Sequence, residues 1–180
     1  MSLGTINIVG AGILGLWQAY TLSKAGFFIR LFERSDEPFQ TASSRLAGAM
    51  LAPYCESEAS QKDFIPFAER SMVLWQDSPF EISQNGTLVV APQRDKAELT
   101  AFAKRTISHR LIQSDEIAEL EPDLKGQFQQ ALYFEGEGHL APRPLMAKML
   151  AQIQKAGAEI QFGWDAELPE ADVTIDTSGM

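Results

Sequence analysis

Gly10-Ala11-Gly12-Ile13-Leu14-Gly15 reads G-x-G-x-x-G, and an acid, Glu33, closes the apolar run that follows. Those residue types at that spacing suit the holding of a dinucleotide. Gly10 permits a tight turn, Gly12 lets the backbone come close to a pyrophosphate, and Gly15 lets a helix lie against a strand. The phosphates would meet unpaired N–H groups at the helix start. Glu33 would accept hydrogen bonds from the adenosine ribose hydroxyls. A glycine-rich loop without a ligand is the plainer alternative, and the strand, helix and acid in register argue against it.

Other reactive side chains are sparse. Cys55 has no histidine near it in sequence, so it reads as a small buried residue and not a nucleophile. His109 and His139 are expected in structural roles. Two histidines build no Ser-His-Asp arrangement, and no Cys/His spacing suggests a metal. Glu116, Glu119, Glu121 and Asp123 read as a solvated helix face.

The elements that must position the glycine run are legible around it. Ile6, Ile8 and Val9 have the pattern of a strand buried on both faces. Leu16, Ala19, Tyr20 and Leu22 keep helical spacing up to Gly26, and 27–32 is a second apolar run. Residues 42–53 are rich in Ala, Gly and Ser, where backbone can approach a flat ligand closely. An amphipathic helix is expected over 64–77, and a hairpin of strands 80–82 and 87–91 through Asn85-Gly86. A helix over 93–104, a strand over 107–112, a short helix from Ser114 and a strand over 131–134 follow. From Pro142 the first pattern resumes, with Leu145, Met149, Leu150 and Ile153 on one helix face and Gly157 closing it. Strands over 158–162 and 171–176 lead into Thr177-Ser178-Gly179.

The expected fold class is therefore α/β: a Rossmann-like dinucleotide-binding domain interrupted by a β-rich (α+β) insertion, which the family resemblance given below makes a partial substrate domain, and cut short at the C-terminus. Its expected parts are 1–79 and 141–180 for the binding domain and 80–140 for the partial substrate domain. The 180 residues can bury a real core. A net charge of −9 weighs against nucleic acid and anionic membrane surfaces as partners. No apolar stretch is long enough to span a bilayer, and the chain runs straight into a strand with no signal-peptide pattern. A single cysteine fits a reducing compartment, so a cytoplasmic location is expected.

Taken together, the glycine fingerprint, Phe32-Glu33-Arg34, the run 44–53, Asn85-Gly86-Thr87-Leu88-Val89-Val90, Leu120-Glu121-Pro122 and His139-Leu140-Ala141-Pro142-Arg143 resemble the D-amino-acid-oxidase-like flavoprotein family. The resemblance covers the whole chain in order but only about the first half of such an enzyme. It implies FAD rather than NAD as the cofactor. It places the residues matching Gly10, Ala11, Gly12, Ile13, Leu14 and Gly15 on the pyrophosphate, and those matching Phe32, Glu33 and Arg34 around the adenosine ribose. Residues matching Ser43, Ser44, Ala47, Gly48, Met50 and Leu51 run along the pyrophosphate, ribityl chain and isoalloxazine. Main chain near 164–166, Ala166 included, touches the adenine, and Ser178 and Gly179 approach the nucleotide from the far side. Met50 and Glu56 are candidates for the substrate pocket.

The activity implied is oxidation of the amine of glycine or another small amino acid to an imine, with O2 reduced to H2O2, in the service of thiamine (thiazole) synthesis. Such a reaction needs positioning and a cation for the substrate carboxylate, while the cofactor carries the hard chemistry. In that family the arginine and its tyrosine partner lie in the second half of the sequence, so no catalytic residue is assigned here. Two other readings remain: a non-catalytic remnant that binds a nucleotide, and the NAD-binding domain of a dehydrogenase. A homo-oligomer, or a missing C-terminal half, is the expected partner for open sheet edges and apolar faces.

Overall fold

The computed structural model describes residues 2–59 and 64–179. Along the chain run β1 (Thr5–Val9), α1 (Ile13–Lys24), β2 (Phe28–Phe32), β3 (Met50–Leu51), α2 (Phe64–Gln76), β4 (Thr87–Val90), α3 (Lys96–Arg105), β5 (Arg110–Gln113), α4 (Ser114–Leu120), β6 (Gln130–Phe134), β7 (Gly138–His139), α5 (Pro142–Lys155), β8 (Glu159–Gln161) and β9 (Val173–Asp176). They pack as two units, 1–49 with 141–180, and 50–140.

The first unit is built on a parallel sheet of order β8-β2-β1-β9. Ile6, Asn7 and Ile8 of β1 are buried in succession, as befits a strand covered on both faces. Ile6 pairs with Ile29 and Val173, and Val9 with Phe32 and Asp176. That register brings the ends of β1, β2 and β9 level. Helix α1 buries Gly15, Leu16, Ala19 and Tyr20, and α5 buries Leu145, Met146, Met149 and Ile153. These two helices pack on each other. Pro142 opens α5, where a missing N–H costs nothing.

The second unit holds an antiparallel sheet of order β4-β6-β5 and a two-stranded pair, β3 with β7. Strand β6 is covered on both sides. Ala131 and Tyr133 face a cluster with Ile112 and Ile117, and Leu132 and Phe134 face one with Leu99.

Three expectations differ from what is observed. The insertion opens at Met50 and not at 80, because Met50 pairs with His139 and Leu51 with Gly138. Helix α2 thereby joins the second unit, with Met72 and Trp75 buried. The hairpin 80–82/87–91 does not form: β4 pairs with β6, and Ser83 bridges His139. Asn85-Gly86 still turns, with Gly86 at φ +80, but a Cβ there would overlap the Tyr133 ring. Gly86 thus serves packing as well as the turn. The strand expected over 107–112 starts only at Arg110, since Ser108 sits at φ 60, outside the extended region.

Candidate functional site

The level ends of β1, β2 and β9 and the start of α1 enclose a cavity of about 430 Å³. That volume lies within the range of small-molecule sites, about 300–1,000 Å³. Gly10, Gly12, Ile13, Leu14, Phe32, Glu33, Arg34, Ser43, Ser44, Ser178 and Gly179 line it, all named from the sequence. Ala11 and Gly15 lie buried behind the wall. Ala47 lines a separate depression beside Arg45 and Pro142, Gly48 is exposed, and Ala166 is exposed as well. Met50 and Leu51 belong to the second unit.

The three glycines have different reasons to be glycine. Gly10 is at φ +97, and a Cβ on it would lie 2.9 Å from the Ser178 backbone. A Cβ on Gly15 would overlap the Gly10 carbonyl oxygen. Both are demanded by the fold itself. Gly12 is not: its φ is −71, and an added Cβ would meet only Ser44 Oγ at 3.7 Å. The space beside Gly12 is left open by the protein, as close approach of a ligand would require.

Gly12 is the N-cap of α1 and offers no side-chain cap. Ser44 Oγ, on the 3-10 turn Ser43–Leu46, accepts the Ile13 N–H at 3.2 Å instead. The first turn of α1 carries no acid, which leaves the positive end of its dipole uncompensated beside the cavity. A helix cannot pair its own first N–H groups. The donor set therefore suits a pyrophosphate.

Glu33 is 7% exposed. Its Oε2 accepts the Ala11 N–H at 2.8 Å, and its Oε1 accepts the Ser35 N–H and hydroxyl at 3.1 Å each. Burial pushes its pKa up, but the hydrogen bonds from Ala11 and Ser35 and the nearby Arg34 charge outweigh that and hold it below the usual carboxylate value. The carboxylate thus pins the glycine turn as well as lining the cavity. Oε2, with a single donor, keeps a further lone pair for a hydroxyl.

One contributor escaped the sequence reading. Thr177 donates its hydroxyl to the Val9 carbonyl at 2.8 Å, and its N–H also reaches Val9 at 2.8 Å, tying the end of β9 to the glycine turn. Its position just past a strand was the available signal. Within the expected stretch 164–166 it is Trp164, rather than Ala166, that forms the wall: its ring lies 4.8 Å from that of Phe32, and its N–H donates to the Glu33 carbonyl at 2.9 Å. Asp176 accepts the Ser178 N–H and hydroxyl, which hold its carboxyl below the ordinary value.

The second unit has a cavity of its own, about 330 Å³, lined by Met50, Leu51, Ala52 and Glu56 against Phe64, Phe67, Ala68 and Ser71 of α2. Met50 and Glu56, paired from the sequence, thus share one cavity. Burial, with the Glu137 and Glu56 charges, pushes the Cys55 thiol up to about 11, which keeps it protonated and unreactive near neutrality. His109 packs 5.4 Å from the Phe134 ring, a structural placement. Among the described residues no helix is long and apolar enough to cross a membrane.

A family profile described as FAD dependent oxidoreductase (DAO) matches residues 5–175. A putative thiamine biosynthesis oxidoreductase ThiO of Rhizobium etli is 36% identical over 176 residues, covering 97% of this chain and 54% of the relative. Glycine oxidase from Geobacillus kaustophilus superposes with a TM-score of 0.69 at 21% identity, over 89% of this chain and 46% of that one. Iminodiacetate oxidase from Chelativorans sp. BNC1 does so with 0.68 at 23% identity, over 87% and 46%. These structural likenesses establish the fold. The chain spans about half the length of the relatives it matches.

Proposed function

Because this chain belongs to the DAO family of FAD-dependent oxidoreductases, we propose that its first unit holds FAD in the cavity at the ends of β1, β2 and β9, within a protein that oxidises a small amino acid. The observation that carries this reading is Gly12, a glycine the fold does not need, at the start of an α1 whose first turn carries no acid. The pyrophosphate is assigned to the N–H groups of Gly12 and Leu14, with Ser43 and Ser44 opposite. The adenosine ribose is assigned to Glu33, with Arg34 beside it and Trp164 closing that end. Ser178 and Gly179 bound the far side.

The residues lining this cavity would hold FAD, whose chemistry when bound is the two-electron oxidation of an amine with O2 as the acceptor. This chain's residues bind and orient. Met50, Leu51 and Glu56 are assigned to the substrate side, where Glu56 is the carboxylate of a mostly apolar cavity and can accept from a substrate ammonium. Glycine as the substrate, H2O2 as the product and a role in thiamine synthesis are supported by the names of the relatives, the ThiO of Rhizobium etli foremost. The partition into a binding domain (first unit) and a substrate domain (second unit) follows the two packed units. The family is FAD-dependent, so the nicotinamide alternative is set aside.

The test is glycine-dependent H2O2 release by the FAD-loaded protein, with sarcosine and iminodiacetate as comparison substrates. Release dependent on glycine and on FAD supports the reading. A protein that binds FAD and oxidises none of the three overturns the amine-oxidase part of it.

A further inference from the structure

Glu137 lies in the loop between β6 and β7 with no solvent exposure. Its Oε1 accepts the N–H groups of Tyr54 at 2.8 Å and Cys55 at 2.7 Å. Those are short bonds, as expected when the acceptor is charged. Its own carbonyl accepts the Gly86 N–H at 2.9 Å, and its N–H donates to the Phe134 carbonyl at 3.3 Å. Among the described residues Oε2 has no hydrogen-bond partner. A carboxylate kept out of water with one oxygen unused is costly to retain, so what the other oxygen holds must matter.

What it holds is the start of the 3-10 turn Cys55–Ala59. That turn carries Glu56, and the chain just before it supplies Met50, Leu51 and Ala52 to the same cavity. From the other end of the segment, β7 pairs with β3 only one residue past Glu137. The cavity wall formed by 50–56 is therefore hung between a backbone ladder and one buried carboxylate.

We propose that Glu137 is the positioning residue of the Met50–Glu56 cavity: its carboxylate fixes the Tyr54–Cys55 turn and, through it, the placement of Glu56. The effect on turnover rests on the reading of that cavity as the substrate side; the positioning itself does not. Holding depends on reach. Glu137→Asp keeps the charge but withdraws the acceptor by one methylene, whereas Glu137→Gln keeps the reach and drops the charge.

The experiment is amide hydrogen exchange and Met50 methyl NMR on the FAD-loaded wild type, Glu137→Asp and Glu137→Gln, with FAD affinity and KM for glycine measured on the same proteins. In Glu137→Asp the Tyr54 and Cys55 amides should exchange about ten-fold faster or more, the loss expected for a charge-assisted hydrogen bond. The Met50 methyl should shift, and KM should rise while FAD affinity holds. Glu137→Gln, which keeps the reach and loses only the charge assistance, should exchange more slowly than Glu137→Asp and keep the wild-type Met50 shift. Wild-type exchange in Glu137→Asp overturns the proposal, and so does Glu137→Gln behaving like Glu137→Asp. Loss of protection throughout β4, β5 and β6 also overturns it, since that is a core role. If the wild type oxidises no glycine, the proposed function fails while the exchange data still decide on Glu137.

Discussion

The glycines of one short loop separate into those the fold needs and one it does not. Gly10→Ala would force a side chain into a positive-φ turn against Ser178, and Gly15→Ala would drive a methyl into the Gly10 carbonyl. Each should cost about 3 kcal/mol or more in urea unfolding. Gly12→Ala should cost only about 1 kcal/mol or less, yet weaken FAD binding clearly. Equal destabilisation by all three would remove the case for a ligand beside Gly12. Glu33 offers a second test. Its pKa is lowered in the folded state, so its ionised form stabilises the fold above the ordinary carboxylate value and that stability is lost as pH falls through the lowered one. Wild type should therefore lose more stability than Glu33→Gln between pH ~7 and ~3, measured as the shift in urea midpoint. Parallel acid limbs would contradict the assignment.

At the scale of elements, local signals and long-range ones parted company. The strand, glycine turn and helix of 5–24 were readable because burial on both faces and the G-x-G-x-x-G spacing are properties of contiguous residues. The return through Pro142 and Gly157 was readable for the same reason. The pairing of β3 with β7 and the capping of Tyr54 and Cys55 by Glu137 were not, since each joins residues more than eighty positions apart. The same limit misread Asn85-Gly86: the dipeptide announced a turn, but only Tyr133 packing on Gly86 reveals that β4 leaves to pair with β6. Gly86→Ala should accordingly destabilise the second unit by about 2–3 kcal/mol, through strain and overlap with Tyr133 together. FAD affinity, proposed to reside in the first unit, should stay within error in a binding titration.

The molecule is two packed units made from three stretches of chain, and the cavity proposed for FAD is contained in one of them. FAD should therefore stabilise the first unit by mass action, by about 2.7 kcal/mol at a hundred-fold excess over Kd. Calorimetry with and without FAD should shift the transition of that unit more than that of the other. Strands β8 and β9 are the outer strands of the first sheet, and Val173 on β9 is half exposed. Such edges favour pairing with further polypeptide. The chain also spans only about half of its relatives, and a substrate-carboxylate cation is not assigned within it. The central claim, however, is the FAD site, and the most direct measurement is the visible spectrum of the protein after incubation with FAD and gel filtration. Flavin bands near ~375 and ~450 nm eluting with the wild type, and weakened in Gly12→Ala under conditions where the variant is folded, are the predicted result. A colourless wild-type peak, or equal flavin retention by the two proteins, would contradict it.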